Sequence, residues 1–506
     1  INFITRRDYE GGDASVFADM TEAGGADIYR ANLLLGGGSL DDDGWNVFGT
    51  LSVKKNTILR GDDRDFSNTF QPARGLSPDT RGTPFATVFG LAGSMADGGL
   101  VDPADGSLQT AFNTLNLPGA PGCEAGGEMM GPYGYQLWNV PASRYACAWD
   151  YPAAAVIQQP QESVDFIGRA TFRLGDAHEA FFEFVGSDVD VEKTFEPNQI
   201  SSSTSATAAF NPDTWYPSTG ESYDMVYDAL ADYFGADQLQ YGERIAYRWR
   251  CMDCGPRQIL TNTRAYRVLL GFEGMLGDWD YSFGLSRASS ESKSTLNGGY
   301  HYTDALQELF GSGLLNPFLM PGQSQSPEAL AGLQAASATG VVLYGGESVV
   351  TQVDGIVSGD IGLSLPGGAI YAAAGFDLRR EEFKFDGDQR TDPRVVFNAP
   401  FDQANILDDV SRDIKAVFAE VYLPLFESLE VTLAGRYDHY DGFGSTTNPK
   451  VSFKYQPIDA LAFRGAYSTG FKVPSFNQLF NGVSELPYTG LDLADPASCP
   501  GGIAND

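Results

Sequence analysis

Positive charge is scarce in this chain of 506 residues: thirty-three Lys and Arg stand against sixty-six Asp and Glu, a net charge of −33, and the histidines are only His178, His301 and His439. Such a balance repels a phosphate backbone and supplies no basic stripe to offset it, so nucleic acid is excluded as a partner. Long hydrophobic runs are also missing. No stretch approaches twenty apolar residues, which leaves no transmembrane helix. A β-barrel wall is untouched by that absence, because it needs only every second residue apolar and crosses a bilayer with ordinary average hydropathy.

Cysteine is sparse and odd in number, five in all, so at least one has no partner within the chain. Nucleophile motifs and phosphate-cradling glycine loops are absent, and Ser364 and Ser468 have no matched His and acid around them. The chain is therefore expected to be no enzyme and to carry no cofactor. A disordered chain is excluded by 42% hydrophobic and 20% charged residues.

What is present in quantity is Gly (59), Phe (33) and Tyr (24), the composition of an all-β chain with many turns. Strict period-two alternation marks the strands. Val164, Phe166, Ala170, Phe172 and Leu174 share one face with Gly168, while Asp165, Arg169, Thr171 and Arg173 take the other. The same rhythm returns at Tyr266 to Phe272, Trp279 to Leu285, Ile370 to Leu378, Val417 to Leu423, Leu429 to Tyr437, Val451 to Tyr455 and Leu461 to Tyr467.

The links between strands alternate in length. Tight ones fall at Asp41 to Gly44, Gly175 to Ala177, Leu276 to Asp278, Pro366 to Gly368, Phe426 to Ser428 and Gln456 to Asp459, each rich in Gly, Pro or acids. Long ones run from Ile58 to Gln161, Lys193 to Gly242, Thr295 to Ser348 and Asp386 to Val410, with shorter ones near Gly24 and Gly442. Long loops alternating with short turns are the signature of an outer-membrane barrel. About thirteen strands are expected, from near Ala14 to near Lys472, odd-numbered ones running outward. A closed single-chain bacterial barrel needs an even number. The expectation is therefore that wall strands follow Asp506, in keeping with a first residue, Ile1, that is neither an initiator Met nor part of a leader.

The opening Ile1-Asn2-Phe3-Ile4-Thr5-Arg6-Arg7-Asp8-Tyr9-Glu10-Gly11 and the string Phe463 to Phe480, with Gly470-Phe471-Lys472-Val473-Pro474-Ser475-Phe476 at its centre, resemble TonB-dependent outer-membrane receptors. Weaker matches occur in the family's order at Gly255-Pro256-Arg257, Gly277-Asp278-Trp279, Glu420-Val421-Tyr422-Leu423-Pro424-Leu425 and Gly435-Arg436-Tyr437-Asp438. The resemblance implies an antiparallel transmembrane β-barrel, here part of a 22-stranded one, with long extracellular loops. It makes residues 1–11 the C-terminal strand of a plug domain and 12–506 the N-terminal portion of the barrel.

The implied function is energised uptake of a scarce ligand (siderophore-iron, cobalamin or oligosaccharide) from the cell outer membrane, with membrane lipid and the TonB complex as partners. A passive porin or substrate-specific channel would share the strand pattern. It would lack a plug end such as Ile1 to Gly11 and loops so long. A soluble β-propeller or adhesin would need repeats of about forty to fifty residues, and none is visible.

On the strands' polar face, Arg30, Arg169, Arg173, Glu183, Glu420, Glu430, Arg436 and Arg464 are expected to line the lumen and meet the plug, as scaffold contacts more than as ligand groups. Ligand candidates are the loop aromatics Tyr133, Tyr135, Trp138, Tyr145, Trp149, Trp215 and Tyr216, whose ring faces could stack on a sugar or on an aromatic siderophore group. The alternative is that they hold the loops together. Cys123 with Cys147, and Cys251 with Cys254, are expected to form disulfides in an oxidising compartment, leaving Cys499 over.

Neither Asp62, Asp63 and Asp65 nor Asp386, Asp388 and Asp392 has the spacing of a calcium loop, and no metal is expected. Tyr223 to Phe234 reads as a helix packing on its own loop through Met225, Leu230 and Phe234. No Lys or Arg lies between Lys193 and Arg244, or between Lys293 and Arg379, which disfavours an anionic ligand and raises neutral ones.

Overall fold

The structure is a computed structural model that describes residues 6–67, 70–78, 81–127, 129–202, 215–386, 395–400 and 406–480. Its main feature is one antiparallel sheet of thirteen strands in which every strand pairs with the next in sequence. In order they are β1 (Gly11–Asp19), β2 (Ile28–Gly37), β3 (Trp45–Asn56), β4 (Gln161–Arg173), β5 (His178–Pro197), β6 (Pro256–Leu276) and β7 (Trp279–Gly298). They continue with β8 (Val342–Leu365), β9 (Gly368–Asp386), β10 (Leu407–Phe426), β11 (Leu429–Tyr440), β12 (Gly444–Ile458) and β13 (Leu461–Ser468).

Register turns the alternation into two chemically distinct faces. Val53 opposes Val164 and Leu51 opposes Phe166. Leu270 opposes Leu285 and Phe272 opposes Phe283, and Phe376 opposes Val417. These side chains belong to a broad exposed apolar face that includes Leu51, Val164, Phe182, Leu270, Leu285, Val417 and Phe453. A face of this kind suits the wall of a transmembrane barrel, since soluble monomers rarely leave so much contiguous apolar surface to water. The other face is polar and hydrogen-bonded, as in the Asn32 link to Ser15 and to Ser52. A slip of one residue would turn that polar face into lipid, which is why the pattern specifies the register so strongly.

Links of two to seven residues close one end of the sheet, at 38–44, 174–177, 277–278, 366–367, 427–428 and 459–460. At the other end the links are 20–27, 57–160, 198–255, 299–341, 387–406 and 441–443. Strands β5, β7 and β8 outrun the sequence expectation at this end, while β6 starts at Pro256, later than the expected end of the link at Gly242. β7 continues to Gly298 and β8 starts at Val342, where a loop from Thr295 to Ser348 was expected. A strand needs only about 9–11 residues to cross the bilayer, and β8 has 24. At this end Ser290, Glu291, Ser292 and Lys293 no longer alternate with apolar residues although their backbones remain paired.

The three longest links fold together into a cap. One hydrophobic core takes Phe85, Phe112 and Trp149 from residues 57–160, Tyr216, Phe234 and Trp249 from residues 198–255, and Phe310 and Phe318 from residues 299–341. A small sheet also joins two links, in the order Gln199–Ser201, Ala246–Arg250, Thr87–Phe89, Ala111–Phe112. Among the described residues the cap also holds the helices α1 (Tyr223–Phe234), α2 (Thr303–Gly311) and α3 (Pro327–Ala335), besides a single helical turn at Tyr151–Ala154.

Helix α1 corrects the sequence reading twice. It packs across loops, with Phe234 edge-on to Phe112 and Tyr145, at ring-centroid distances of 5.2 and 5.8 Å. Its buried residues are Tyr223, Val226, Leu230 and Phe234, while Met225 is exposed. The stripe set by Tyr223 advances in steps of three and four, and Met225 falls off it by two residues.

Candidate functional site

On the polar face, most of the lumen candidates form ion pairs, and cross-strand register sets those of Arg169 with Glu183 and of Glu430 with Lys454. Arg169 and Glu183 oppose each other on β4 and β5 and bond at 2.5 Å. The guanidinium also lies over the Phe181 ring, 4.0 Å from its centroid, and the side chain is 9% exposed. Arg173 reaches Asp41 across the turn end at 2.8 Å. Arg436 holds Asp377 at 3.2 Å and Asp438 at 2.8 Å. Glu430 pairs with Lys454 at 3.2 Å, and both line a cavity of about 410 Å³ with Arg464. Glu420 is exposed on the same face and is brought together with none of these.

Residues 6–10 cross this face near the turns. Tyr9 exchanges hydrogen bonds with the Asn46 side chain on β3, its amide donating to Oδ1 at 3.1 Å and its carbonyl accepting from Nδ2 at 3.0 Å. The Arg7 carbonyl accepts from the Thr171 hydroxyl on β4 at 3.3 Å. Its guanidinium pairs with Glu179 on β5 and, at 3.0 Å, with Glu273 on β6. A cavity of about 610 Å³ opens beside it, lined by Arg169, Arg173, His178 and Tyr281 as well. Arg6 to Glu10 are extended chain without strand pairing, and Ile1 to Thr5 lie outside the described residues.

The cap uses most of the loop aromatics for itself. Trp149 and Tyr216 are almost fully buried, Tyr133 and Tyr145 nearly so. Four of the seven candidate rings already carry an arginine from the cap: Arg81 on Tyr133 (5.5 Å), Arg144 on Tyr135 (6.0 Å), Arg250 on Trp149 (4.7 Å) and Arg244 on Trp215 (4.4 Å). Tyr145 packs edge-on to Tyr233, and Tyr216 to Phe318. Long polar links can fold only around a core of their own, and aromatic rings bring the most apolar area per residue to it. Trp138 is the exception. It sits 43% exposed on a tight turn where the amides of Leu137 and Trp138 both donate to the Gly134 carbonyl. Tyr135 and Trp215 are partly exposed.

Both cysteine pairs of the cap lie in its core as disulfides, Cys123 to Cys147 with Cα atoms 5.6 Å apart and Cys251 to Cys254 at 5.3 Å. Cys499 lies outside the described residues.

Sequence reasoning passed over one cap group entirely. Asp102, fully buried, accepts from the Tyr145 hydroxyl at 2.7 Å, the Tyr233 hydroxyl at 3.0 Å, the Ala104 amide at 2.9 Å and Arg144 at 3.0 Å. Burial pushes its carboxyl up, but the bonds from Ala104, Tyr145 and Tyr233 outweigh this and hold it below the ordinary carboxylate value. Nearby Asp105, bonded by Ser107 and Arg144, is lowered to about 2. An acid at the head of an Asp-Pro-Ala-Asp-Gly turn carries no pattern that marks it in advance.

Residues 198–502 match the family model described as TonB dependent receptor-like, beta-barrel. Among solved structures, the ferric enterobactin receptor of Pseudomonas aeruginosa is similar at 12% identity and TM-score 0.46, covering 94% of this chain and 46% of its own. The siderophore receptor PirA from Acinetobacter baumannii has 11% identity and TM-score 0.44, covering 93% of this chain and 44% of its own. For the ferripyoverdine receptor of Pseudomonas aeruginosa the values are 9%, 0.41, 92% and 43%. The chain thus spans less than half the length of each. None of the curated proteins matches it.

Proposed function

The chain belongs to the TonB-dependent receptor family through its β-barrel domain, and on that premise we propose that it is barrel wall and outer cap of a receptor that takes up a scarce ligand across the outer membrane. Residues 1–11 are read as the end of the plug domain and 12–506 as barrel. TonB acting on the plug supplies the energy, and a siderophore-iron complex, cobalamin or an oligosaccharide is the cargo. No covalent chemistry is asked of the chain. The observation that carries the reading is a wall with one broadly apolar side, one ion-paired side and its four long links, 57–160, 198–255, 299–341 and 387–406, confined to a single end.

Ligand contact is assigned to the cap surface at Trp138, with Tyr135 and Trp215 beside it, because the remaining candidate rings are spent on the cap core. Arginines already laid against rings or paired with carboxylates leave the cap poorly equipped for an anionic ligand. Neutral cargo such as an oligosaccharide is favoured. The test is uptake by the full-length protein in cells with and without TonB, offering a labelled ferric siderophore, cobalamin and oligosaccharides in turn. Saturable uptake that stops without TonB supports the receptor; uptake that persists without TonB identifies a passive channel.

A further inference from the structure

The segment after β13 does not rise away from the wall but turns back along its polar face at the loop end. The Thr469 amide donates to the Pro449 carbonyl on β12 at 3.1 Å. Phe471 meets Tyr440 at the end of β11, with centroids 5.7 Å apart. The Pro474 carbonyl accepts from Nη1 of Arg412 on β10 at 3.0 Å. Phe476 stacks on Phe383 of β9, with centroids 6.0 Å apart and planes 4° from parallel. Eight residues thereby retrace four strand spacings, about 19 Å at roughly 4.8 Å each, which is within the reach of extended chain.

Register fixes the face. Arg412 opposes Glu381, Ile414 opposes Tyr440, and Phe418 opposes Arg436, all in steps of two along β10. These positions share the ion-paired side with Asp377 and Asp438. Arg412 makes three contacts at once: it pairs with Glu381, donates to the Pro474 carbonyl, and lies over the Phe476 ring at 4.9 Å. Its side chain is 11% exposed, so these contacts are largely shielded from water. Next to it on that face Ile414 and Ala416 are 1% and 2% exposed, and Val473 of the returning segment is 9% exposed.

We propose that Thr469 to Phe480 is a strap latched across the loop-end mouth of the polar face by Arg412, and that it leaves the wall when this latch is undone. Glu381 holds the guanidinium flat so that one of its edges meets the Pro474 carbonyl and its plane covers Phe476. The ring contacts of Phe471 and Phe476 fasten the strap at two further points but involve no charge. Anything moving along the polar face at this end meets the strap first, and Arg412 decides whether it is in place.

The test uses purified full-length protein in detergent micelles with Cys499→Ser, and reads the rate at which a hydrophilic maleimide labels Val473→Cys. Slow labelling is expected with Arg412 present, rising at least tenfold with Arg412→Ala. Phe476→Ala lies off the wall and leaves the pair of Arg412 and Glu381 intact, so it carries the test if Arg412→Ala fails to fold; it too should raise the rate at least tenfold. Equal rates with and without these substitutions, or fast labelling from the start, overturn the latch. The assay needs neither cargo nor TonB, so its failure leaves the receptor reading standing, and loss of TonB dependence in uptake leaves the latch standing.

Discussion

Opening the disulfide between Cys123 and Cys147 should loosen the cap while sparing the wall. The bridge closes a loop over a sequence separation of 24, and the loop-entropy relation assigns such a closure about 3.5 kcal/mol. Cys251 and Cys254 are separated by 3, for which the same relation gives about 2 kcal/mol. All four sulfurs lie in the cap's apolar core, so alanine is the replacement to use; serine would add a buried hydroxyl cost unrelated to the bridge. Hydrogen exchange read by mass spectrometry on the full-length protein separates cap from wall.

In the double variant Cys123→Ala with Cys147→Ala, peptides covering residues 85–149 should lose protection by roughly 400-fold, the equivalent of about 3.5 kcal/mol. Peptides of β4 and β5 should keep theirs, because their hydrogen bonds run along the wall. The Cys251→Ala with Cys254→Ala variant should lose less. Unchanged protection in the cap, or a larger loss from the short bridge than from the long one, would refute the reasoning.

Four further outcomes follow from named residues. Asp102→Asn, which strips the negative charge from a carboxylate serving two tyrosines and Arg144, should destabilise the cap by about 2–3 kcal/mol, seen as lost exchange protection in α1. Tyr233→Phe, losing one bond, should cost about 1 kcal/mol. His301 is buried and held at about 4 against an ordinary 6.5. The unfolded chain takes up the proton near 6.5 and the fold refuses it until about 4, so cap stability should fall as pH is lowered through that window, by up to about 3 kcal/mol. His301→Phe should flatten that part of the pH profile, and an unaltered profile would remove His301 from the account. On the wall, Arg169→Ala leaves Glu183 beside Phe181 without its partner on β4 and should cost about 3 kcal/mol. Adding Glu183→Gln should recover part of it, as thermal unfolding of the wall would report; purely additive losses would argue against the pair.

Several elements could be read from residues alone because the membrane imposes a local code. Val164 to Leu174 alternates because the sheet has one apolar and one polar face, and the strand that takes all of these positions but Leu174, β4, follows at once. The turn at Gly277 is equally local: it joins Leu276 to Trp279 in two residues and needs a positive φ that glycine supplies. Where strands leave the lipid the code stops, and the extensions of β7 to Gly298 and of β8 from Val342 were invisible for that reason. The candidate site was legible only in part. Residue type flagged Arg169, Arg173 and Arg436; register then supplied Glu183 for Arg169, and the folded wall brought Asp41 to Arg173 and Asp377 to Arg436. Residue type also flagged Trp149 and Tyr216 for stacking on a ligand, but burial is decided by contacts between different links, such as Trp149 with Arg250 and Tyr216 with Phe318.

By itself, then, the sequence determined the wall: thirteen strands, their two faces, the alternation of short and long links, and the family to which they belong. Each of those features is written within a few residues, by a period of two or by a turn, and any chain that crosses lipid as strands must write it so. Only tertiary structure decided that residues of four links, Phe397 of 387–406 among them, share one core, that arginines cover several of the candidate rings, and that the segment after β13 lies back under Arg412. These depend on which distant surfaces meet, and packing between distant segments leaves no periodic trace in the chain.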